Sequence, residues 1–534
     1  MRRFVLSLVF VLFFFTGNTT AHLAFWWGHT FSRNVSVIAG DEDFIAVGLN
    51  AACYYESEPT GGTYEICDGN ASVYLFKNGK VLWKKEMLGD FITSISYHND
   101  MIALAVQKNS TGYVYLIGSN GKIIWKKEHP WVNSVFVSEK YIIVGDSKGY
   151  TYLFNKEGEL LWRLKLGDKL YVNGEYILVG NSNNNTVYFL KLTDSGMRVL
   201  WRQEVGHVYK ISTTGNYSLV VSFDNYQDLY FKKNPNVLFF SRNGTILWKR
   251  KFESLVDVEM SNDGKYVLIA TPSQLYLLDT HGEAILFREI KDIVDVSVVD
   301  NVTVLIRKKG RIHVLNEIDT VIEIGTELSH VVHVGKSIIV AGKTSIYIFR
   351  ILPPAETSII TVLAPSARIY LNNTFLTNSP KNITVVPGRY EVRVIRDRCI
   401  NHTENISLRA RDVRIIKIRG AGYLTVFSNV SNAEIYLNGT KIGAVPLLDY
   451  KLPEGKYFIR VMARGYKSYT QEVVINSCEH RVVNATLSPL FSETSETKIM
   501  PPLNASDKNI NVLLVGVLII MLIIGTVALW LHRD

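Results

Sequence analysis

Cysteine is scarce in this chain, 4 in 534 residues, and no two stand as Cys-x-x-Cys, which removes the zinc-ribbon and thioredoxin-type readings. A His-Glu-x-x-His pair and a phosphate-binding loop are also missing, so zincin and P-loop chemistry have no carrier. His330 and His333 lie three apart in an apolar, strand-like segment, a spacing that puts them on opposite faces and argues against a shared metal. Asp41-Glu42-Asp43 lacks the alternating oxygen ligands of a calcium loop and reads as a solvated turn. The expectation from these absences is a protein without catalysis, metal or cofactor.

Long apolar runs are equally few, one at each end. Met1-Arg2-Arg3 is followed by Phe4 to Phe15, broken only by Ser7, and then by Thr19-Thr20-Ala21. This is the pattern of a signal peptide over residues 1–21, too short for a hydrocarbon core that needs roughly 20 helical residues. Residues 512–531 carry no charge and lie between Asp507-Lys508 and His532-Arg533-Asp534. They are expected to form one transmembrane helix, with 532–534 as a cytoplasmic tail and the bulk of the chain outside, a single-pass type I arrangement at the cell membrane.

An exported chain meets an oxidising compartment, where disulfides persist. Cys53 and Cys67 flank one short segment, and Cys399 and Cys478 lie in the last third; of the three connectivities, Cys53 with Cys67 and Cys399 with Cys478 is expected. Glycosylation sequons begin at Asn34, Asn70, Asn109, Asn184, Asn216, Asn243, Asn301, Asn372, Asn382, Asn401, Asn405, Asn429, Asn438, Asn484 and Asn504. Composition alone would give roughly five, so the excess points to a glycosylated exterior.

A unit repeats through the first 350 residues. NGKVLWKKE, NGKIIWKKE, EGELLWRLK, SGMRVLWRQ, NGTILWKRK and HGEAILFRE align on Trp83, Trp125, Trp162, Trp201, Trp248 and Phe287, at intervals of 42, 37, 39, 47 and 39 residues. A period of this length signals a propeller or solenoid. Each unit reads as an apolar strand, a tight glycine turn, the aromatic strand and two more short strands. The apolar strand recurs eight times, beginning at Val73, Val114, Thr151, Val187, Val237, Leu275, Ile312 and Ile346. Only about seven aromatic strands follow, and residues around Phe25 to Phe31, with Trp27, fit as the missing outer strand that removes the free edge. The expected fold is all-β: an eight-bladed β-propeller over 22–352, with seven blades as the alternative.

The net charge of +9 has a place in this scheme. Lys84, Lys85, Lys126, Lys127, Arg163, Lys165, Arg202, Lys249, Arg250, Lys251 and Arg288 all follow the aromatic, on each unit's exposed outer strand, where charge discourages edge pairing. Nucleic acid is not expected as a partner of such an exported chain.

The repeat resembles the pyrroloquinoline-quinone-type propeller unit, with its turn glycine followed by an aliphatic and Trp, across roughly residues 24 to 350. It lacks the Gly-His and Trp-Asp pair of WD-type repeats, the double glycine of kelch repeats and the vicinal cysteines of quinone dehydrogenases. The resemblance implies the scaffold and not the cofactor.

From Thr357 the period stops. SARIYLNN, TNSP and VPGRYEVRVIRD in one segment are answered by NAEIYLNG, GAVP and LPEGKYFIRVMARGY in the next, the pattern of two small β-sandwich modules over 356–420 and 421–488. The second resembles a PEGA domain through Ala433, Ile435, Tyr436, Gly439, Gly443, Pro446, Pro453, Gly455, Tyr457, Gly465 and Tyr466, although the naming tetrapeptide is Val430-Ser431-Asn432-Ala433 here. The first is more divergent, keeping Pro365, Ala367, Pro380, Pro387, Gly388 and Tyr390. Cys399 falls where the resemblance places Tyr466, so a Cys399–Cys478 bridge would staple the modules. Residues 489–511, rich in Ser, Thr and Pro, read as an extended stalk.

Two segments break the propeller period, Cys53 to Asp68 and Asp224 to Asn236, both between the second and third strands of a unit. Their tyrosines, Tyr54, Tyr55, Tyr64, Tyr226 and Tyr230, are the candidate binding residues, because exposed Tyr offers contact area at low entropic cost. The sequence therefore predicts a membrane-anchored cell-surface protein whose propeller recognises an extracellular protein or glycan, with the PEGA-like modules as stem. A structural component of a surface lattice is the alternative, and a secreted enzyme a more remote one.

Overall fold

The computed structural model describes residues 22–490 apart from 58–62, 182–184, 194–195, 300–301, 316–319, 335–336 and 398. The expected signal peptide (1–21), the stalk beyond residue 490, the transmembrane helix (512–531) and the tail (532–534) lie outside the described residues. Among the described residues no helix is long and apolar enough to cross a membrane.

The strand-forming segments come in groups of four, each folding into an antiparallel meander. Sheet 1 is ordered Val35–Gly40, Phe44–Leu49, Ser72–Lys77 and Lys80–Glu86. Sheet 2 runs from Phe91–His98 to Ile123–His129, sheet 3 from Val132–Val137 to Leu160–Leu164, and sheet 4 from Lys169–Asn173 to Gly196–Glu204. Sheets 5, 6 and 7 begin with His207–Thr213, Asp257–Met260 and Ile293–Val299 and end with Ile246–Lys251, Ala284–Glu289 and Thr320–Glu323. Sheet 8 takes Leu328–Val334, Ser337–Gly342 and Ser345–Leu352, and its outer strand is His22–Thr30, paired antiparallel to Ser345–Leu352 from His22↔Leu352 to Thr30↔Ser345. The amino-terminal strand thus completes the sheet farthest from it in sequence.

Burial follows position within each meander. Second strands are apolar on both faces and buried on both, as in Met101–Lys108 and Ser337–Gly342, which requires a sheet on either side. Outer strands are mostly exposed, as in Lys80–Glu86. First strands of successive sheets touch one another all the way round, including Val35–Gly40 with Leu328–Val334. A separate apolar core fills each junction. Ala46 and Val73 of sheet 1 pack with Ile102 and Leu104 of sheet 2, and the last junction closes with Ile45, Val47 and Phe76 of sheet 1 against Trp27, Ile339, Ile346 and Ile348 of sheet 8. A closed ring of radial four-stranded meanders is a β-propeller.

The turn glycines have a second role beyond their positive φ. A Cβ on Gly121 would meet Trp83 Cγ at 3.2 Å, on Gly158 Trp125 at 3.1 Å, on Gly244 Trp201 at 2.7 Å and on Gly282 Trp248 at 2.9 Å. Each tryptophan lies flat under the glycine turn of the following sheet. Trp83 Nε1 donates to Ser119 O (2.6 Å), Trp125 Nε1 to Lys156 O (2.9 Å) and Trp201 Nε1 to Arg242 O (3.1 Å). Trp27 lies against the glycine turn of sheet 1 in the same way, with Gly79 at 2.9 Å, but makes no such hydrogen bond among the described residues. The repeat is therefore a latch between neighbours, and the amino-terminal strand supplies the latch where the ring closes.

Sheet 8 does not end at the ring. Phe25 bridges in parallel to Val385, and the sheet continues through Lys381–Val385 and Ser358–Leu363 to Val413–Lys417, making seven strands. One continuous core joins Phe25, Val314 and Phe349 to Ile360, Ile369, Val392 and Ile416. The first module is thus built onto the propeller, not hung from it.

The chain divides into two compact units, a larger one reaching to Thr425 with Asp449–Lys456 and Val474–Arg481, and a smaller one of Val426–Leu448, Tyr457–Val473 and the chain from Val482. The two modules share strand order. Thr374–Asn378, Arg368–Leu371, Gly388–Arg396 and Ile400–Leu408 correspond to Thr440–Ala444, Glu434–Leu437, Gly455–Met462 and Tyr469–Ile475. They also share hydrogen bonds. Asn372 Oδ1 accepts from Glu391 N (2.9 Å) as Asn438 Oδ1 accepts from Phe458 N (2.7 Å), and Ser379 N donates to Ala367 O as Val445 N does to Ala433 O.

Candidate functional site

In a four-stranded meander with its first strand on the ring axis, connections between second and third strands emerge at one end of the ring. Both period-breaking segments do so. In sheet 1 the insertion is a hairpin of Ala52–Ser57 and Thr63–Asp68, with Cys53 directly opposite Cys67 and bonded to it. Tyr54 is 51% exposed; the side chains of Tyr55 and Tyr64 lie outside the described residues.

In sheet 5 the insertion forms the helix Tyr226–Phe231, where the sequence suggested an irregular loop in an otherwise all-β chain. Asn225 caps it, its side chain accepting from Asp228 N, and Lys232 ends it at φ 51°. Asp224 receives Lys251 Nζ (2.7 Å) and Asn236 Nδ2 (2.8 Å), which tie the segment to its sheet. The Lys251 hydrogen bond, then that from Asn236, holds the Asp224 carboxyl below its ordinary pKa. With the polar groups spent downward, Tyr226, Tyr230 and Phe231 face outward, 67%, 72% and 65% exposed. Phe231 was not among the sequence candidates; its place beside Tyr230 and before Lys232-Lys233 was the available signal.

The inner wall holds a second cluster. Lys210 Nζ lies 2.6 Å from Asp257 Oδ1. Glu259 Oε2 accepts from Val298 N (3.1 Å) and stands 3.9 Å from His333 Nδ1. His333 also meets Ser297 Oγ (3.0 Å) and Asn262 Oδ1 (2.9 Å), while His330 Nδ1 lies 3.6 Å from Asp295, whose Oδ2 accepts from Val331 N. Burial pushes the Glu259 carboxyl up to about 7, against the pull of Lys210. Burial also works against the Lys210 charge, but Asp257 and Glu259 outweigh it and hold its pKa above the ordinary value. These groups come from first strands of sheets 5 to 8. Sheets 1 to 3 are joined instead by neutral groups, such as Ser36 Oγ to Ile92 O (3.1 Å) and Thr93 Oγ1 to Val132 O (2.8 Å), and at the junction of sheets 3 and 4 Asn133 Nδ2 donates to Asp168 Oδ2 (2.8 Å). Among the described residues no three His, Cys, Asp or Glu side chains converge to hold a metal ion.

Other sequence features resolve into structural roles. Asp41 Oδ1 accepts from Asp43 N (2.9 Å) and Phe44 N (2.8 Å), so that carboxylate shapes its own turn. Gly145-Asp146-Ser147-Lys148-Gly149 has the Gly-x-Ser-x-Gly spacing of a nucleophile elbow. Here it is a strand-to-strand turn, with buried Asp146 Oδ1 accepting from Lys148 N (3.0 Å) and Tyr150 N (2.9 Å), and it lacks the strand-to-helix setting that presents a nucleophile. Lys126 sits 4.0 Å from the Tyr113 ring and Arg163 4.0 Å from Tyr150, so these outer-strand cations stack on aromatic faces of the adjacent strand. Cys399 is bonded to Cys478. Of the sequon asparagines, Asn184, Asn301 and Asn504 lie outside the described residues, Asn70 is half-buried and all the others are exposed.

The fold and these features define a β-propeller that continues into a small β-sandwich module. Residues 69–289 match the family model described as outer membrane protein assembly factor BamB, and residues 421–490 match the PEGA domain. No curated protein matches the chain. Solved structures aligned with it include BamB from Moraxella catarrhalis, 12% identical over 62% of this chain and 98% of that one (TM-score 0.44). Sqt1 of Chaetomium thermophilum is 12% identical over 62% and 98% (TM-score 0.45). The WD40 β-propeller domain of Doa1 is 11% identical over 61% and 96% (TM-score 0.36).

Proposed function

We propose that this is a membrane-anchored binding protein of the cell envelope, without catalytic activity, whose propeller engages a protein or glycan outside the membrane through the rim carrying the sheet 1 hairpin and the sheet 5 helix. The carrying observation is the Tyr226, Tyr230 and Phe231 cluster, three large side chains each about two-thirds exposed on a helix capped and tied by polar bonds. An exposed aromatic cluster on a rigid support is the usual anchor of a recognition surface. Read as eight blades, the ring sets sheets 1 and 5 opposite each other, so that the two insertions flank the axial mouth. The module at 356–420 is read as a divergent second PEGA copy on the strength of its shared strand order and bonds. The envelope location rests on the signal-like and membrane-like ends and on the family description matched by residues 69–289, which names an outer-membrane assembly protein.

The test is site-specific photo-crosslinking in intact cells from position 230, with Glu139, exposed in a turn at the other end of the ring, as the control. A discrete adduct from 230 and none from 139, reduced at least tenfold by Tyr226→Ser with Phe231→Ser, is the expected result. No discrete adduct from either position overturns the rim. A regular ladder of self-adducts transfers the protein to the lattice role.

A further inference from the structure

The strand Val413–Lys417 is the last of the seven-stranded sheet and, among the described residues, pairs on one side only, in parallel with Ser358–Leu363. Two bonds set the phase of that ladder, Ile359 N to Asp412 O (2.9 Å) and Ile418 N to Leu363 O (2.9 Å). In a parallel pair, bonding groups alternate along the strand. Arg414 and Ile416 therefore spend their N–H and C=O groups on the neighbour, and Val413, Ile415 and Lys417 hold theirs toward the open edge.

Protein edges of this kind are usually blunted by charge, proline or a bulge. Here the centre is apolar and open, with Val413 62% and Ile415 59% exposed. The register sets Ile359 beside Val413 and the exposed Leu363 beside Lys417, which widens the apolar strip. The flanks are cationic. Arg409 and Arg411 precede the strand and Lys417 and Arg419 close it. The one acid among them, Asp412, is used internally, its Oδ2 accepting from Arg409 N (2.7 Å), and Arg414 is paired with Glu404.

We infer that this edge accepts a strand from another protein, an extended segment with apolar residues at alternate central positions and acidic residues at both ends, added to the sheet through main-chain hydrogen bonds. Strand addition takes its affinity from the backbone and its specificity from alternate side chains, and the cationic flanks select the acidic ends. A second copy of this chain is a poor occupant. Antiparallel self-pairing centred on Ile415 sets Arg411 opposite Arg419, and centred on Arg414 it sets Arg411 opposite Lys417; directly opposed like charges destabilise a sheet. The corresponding strand of the second module, His480–Ala485, carries the sequon Asn484 and has His480 where this one has Val413, which leaves Val482 (46% exposed) as the one exposed apolar position where this strand has two. This inference does not rest on the rim.

The experiment uses the full chain in detergent micelles and two fluorescein-labelled peptides, Glu-Thr-Val-Thr-Ile-Thr-Glu and its counterpart with lysine at both ends, followed by anisotropy. The acidic peptide is expected to bind at least tenfold tighter than the basic one. Ile415→Pro removes an N–H that faces the open edge and leaves the ladder to Ser358–Leu363 intact; it is expected to weaken the acidic peptide at least tenfold with the melting temperature unchanged. Arg411→Glu with Lys417→Glu is expected to reverse the preference between peptides, which a folding defect would not do. Equal binding of both peptides, or undiminished binding to the Ile415→Pro variant, overturns the proposal. Concentration-dependent dimerisation abolished by Ile415→Pro assigns the edge to a second copy and overturns it also. The Tyr226→Ser, Phe231→Ser variant is expected to bind the acidic peptide unchanged, which keeps the two readings separable.

Discussion

At Gly244 the backbone stands at φ +85°, and a Cβ would come within 2.7 Å of Trp201 Cγ. Gly196, at the matching turn of sheet 4, has φ +118° and open space around it. Alanine at 244 therefore meets both backbone strain and the indole, and alanine at 196 the strain alone. Gly244→Ala is expected to cost about 2 kcal/mol or more, and Gly196→Ala about 1 kcal/mol, a difference that denaturant melts of the two variants would read. Glu259 offers a second residue-scale test. Its folded pKa of about 7 stands above the ordinary carboxylate value, so the stability it contributes is fully present below that ordinary value and is lost as pH rises through 7. Half-buried His29 and His129 are pushed the other way by desolvation, and what they contribute is lost as pH falls below the ordinary imidazole value. The prediction is therefore a difference: between pH 5 and pH 8 the parent loses more melting temperature than Glu259→Gln does, as differential scanning fluorimetry would show. Equal losses would remove the buried carboxylate from the account.

At the scale of elements, the strand His22–Thr30 and the bridge Cys399–Cys478 join parts of the chain that lie far apart in sequence. The bridge closes a sequence separation of 79 residues within the larger unit. Loop-closure entropy for that span predicts a loss of about 4 kcal/mol in Cys399→Ser with Cys478→Ser, measurable by guanidinium unfolding against the parent. Both pairings were visible beforehand, the strand because one repeat lacked an outer partner and Trp27 stood at the right distance, the bridge because both cysteines depart from the pattern around them. The helix Tyr226–Phe231 was not. Its six residues carry no helical period, and what forms it is the Asn225 cap and the anchoring of Asp224 by Lys251 from a neighbouring strand, a contact between residues 27 apart.

At the scale of the molecule, the sheets close into a ring whose two halves differ inside. Ion pairs and half-buried carboxylates join sheets 5 to 8, whereas sheets 1 to 4 are joined by hydroxyl and amide donors, with Asp168 accepting from Asn133 between sheets 3 and 4. The exposed aromatic helix rises from the charged half. The rim crosslinking and the peptide titration examine separate surfaces of one unit; expected adducts at 230 and expected strand addition at 413–417 are independent results.

The repeat period, the apolar strand pattern and the turn glycines were enough to specify an all-β ring, because strand formation and hairpin closure depend on residues within a few positions of each other. The sequons and cysteines were equally plain, being local in composition. Tertiary structure alone decided three things. It showed that the turn glycines Gly79, Gly121, Gly158, Gly244 and Gly282 are seats for a tryptophan of the preceding sheet. It gathered Lys210, Asp257, Glu259, Asp295 and His333 from four first strands into one half-buried cluster. It also left the edge Val413–Lys417 open while fusing its sheet to the propeller. All three depend on which strands become neighbours across 30 or more residues, and strand neighbours are set by the packing of whole sheets, which no local pattern records.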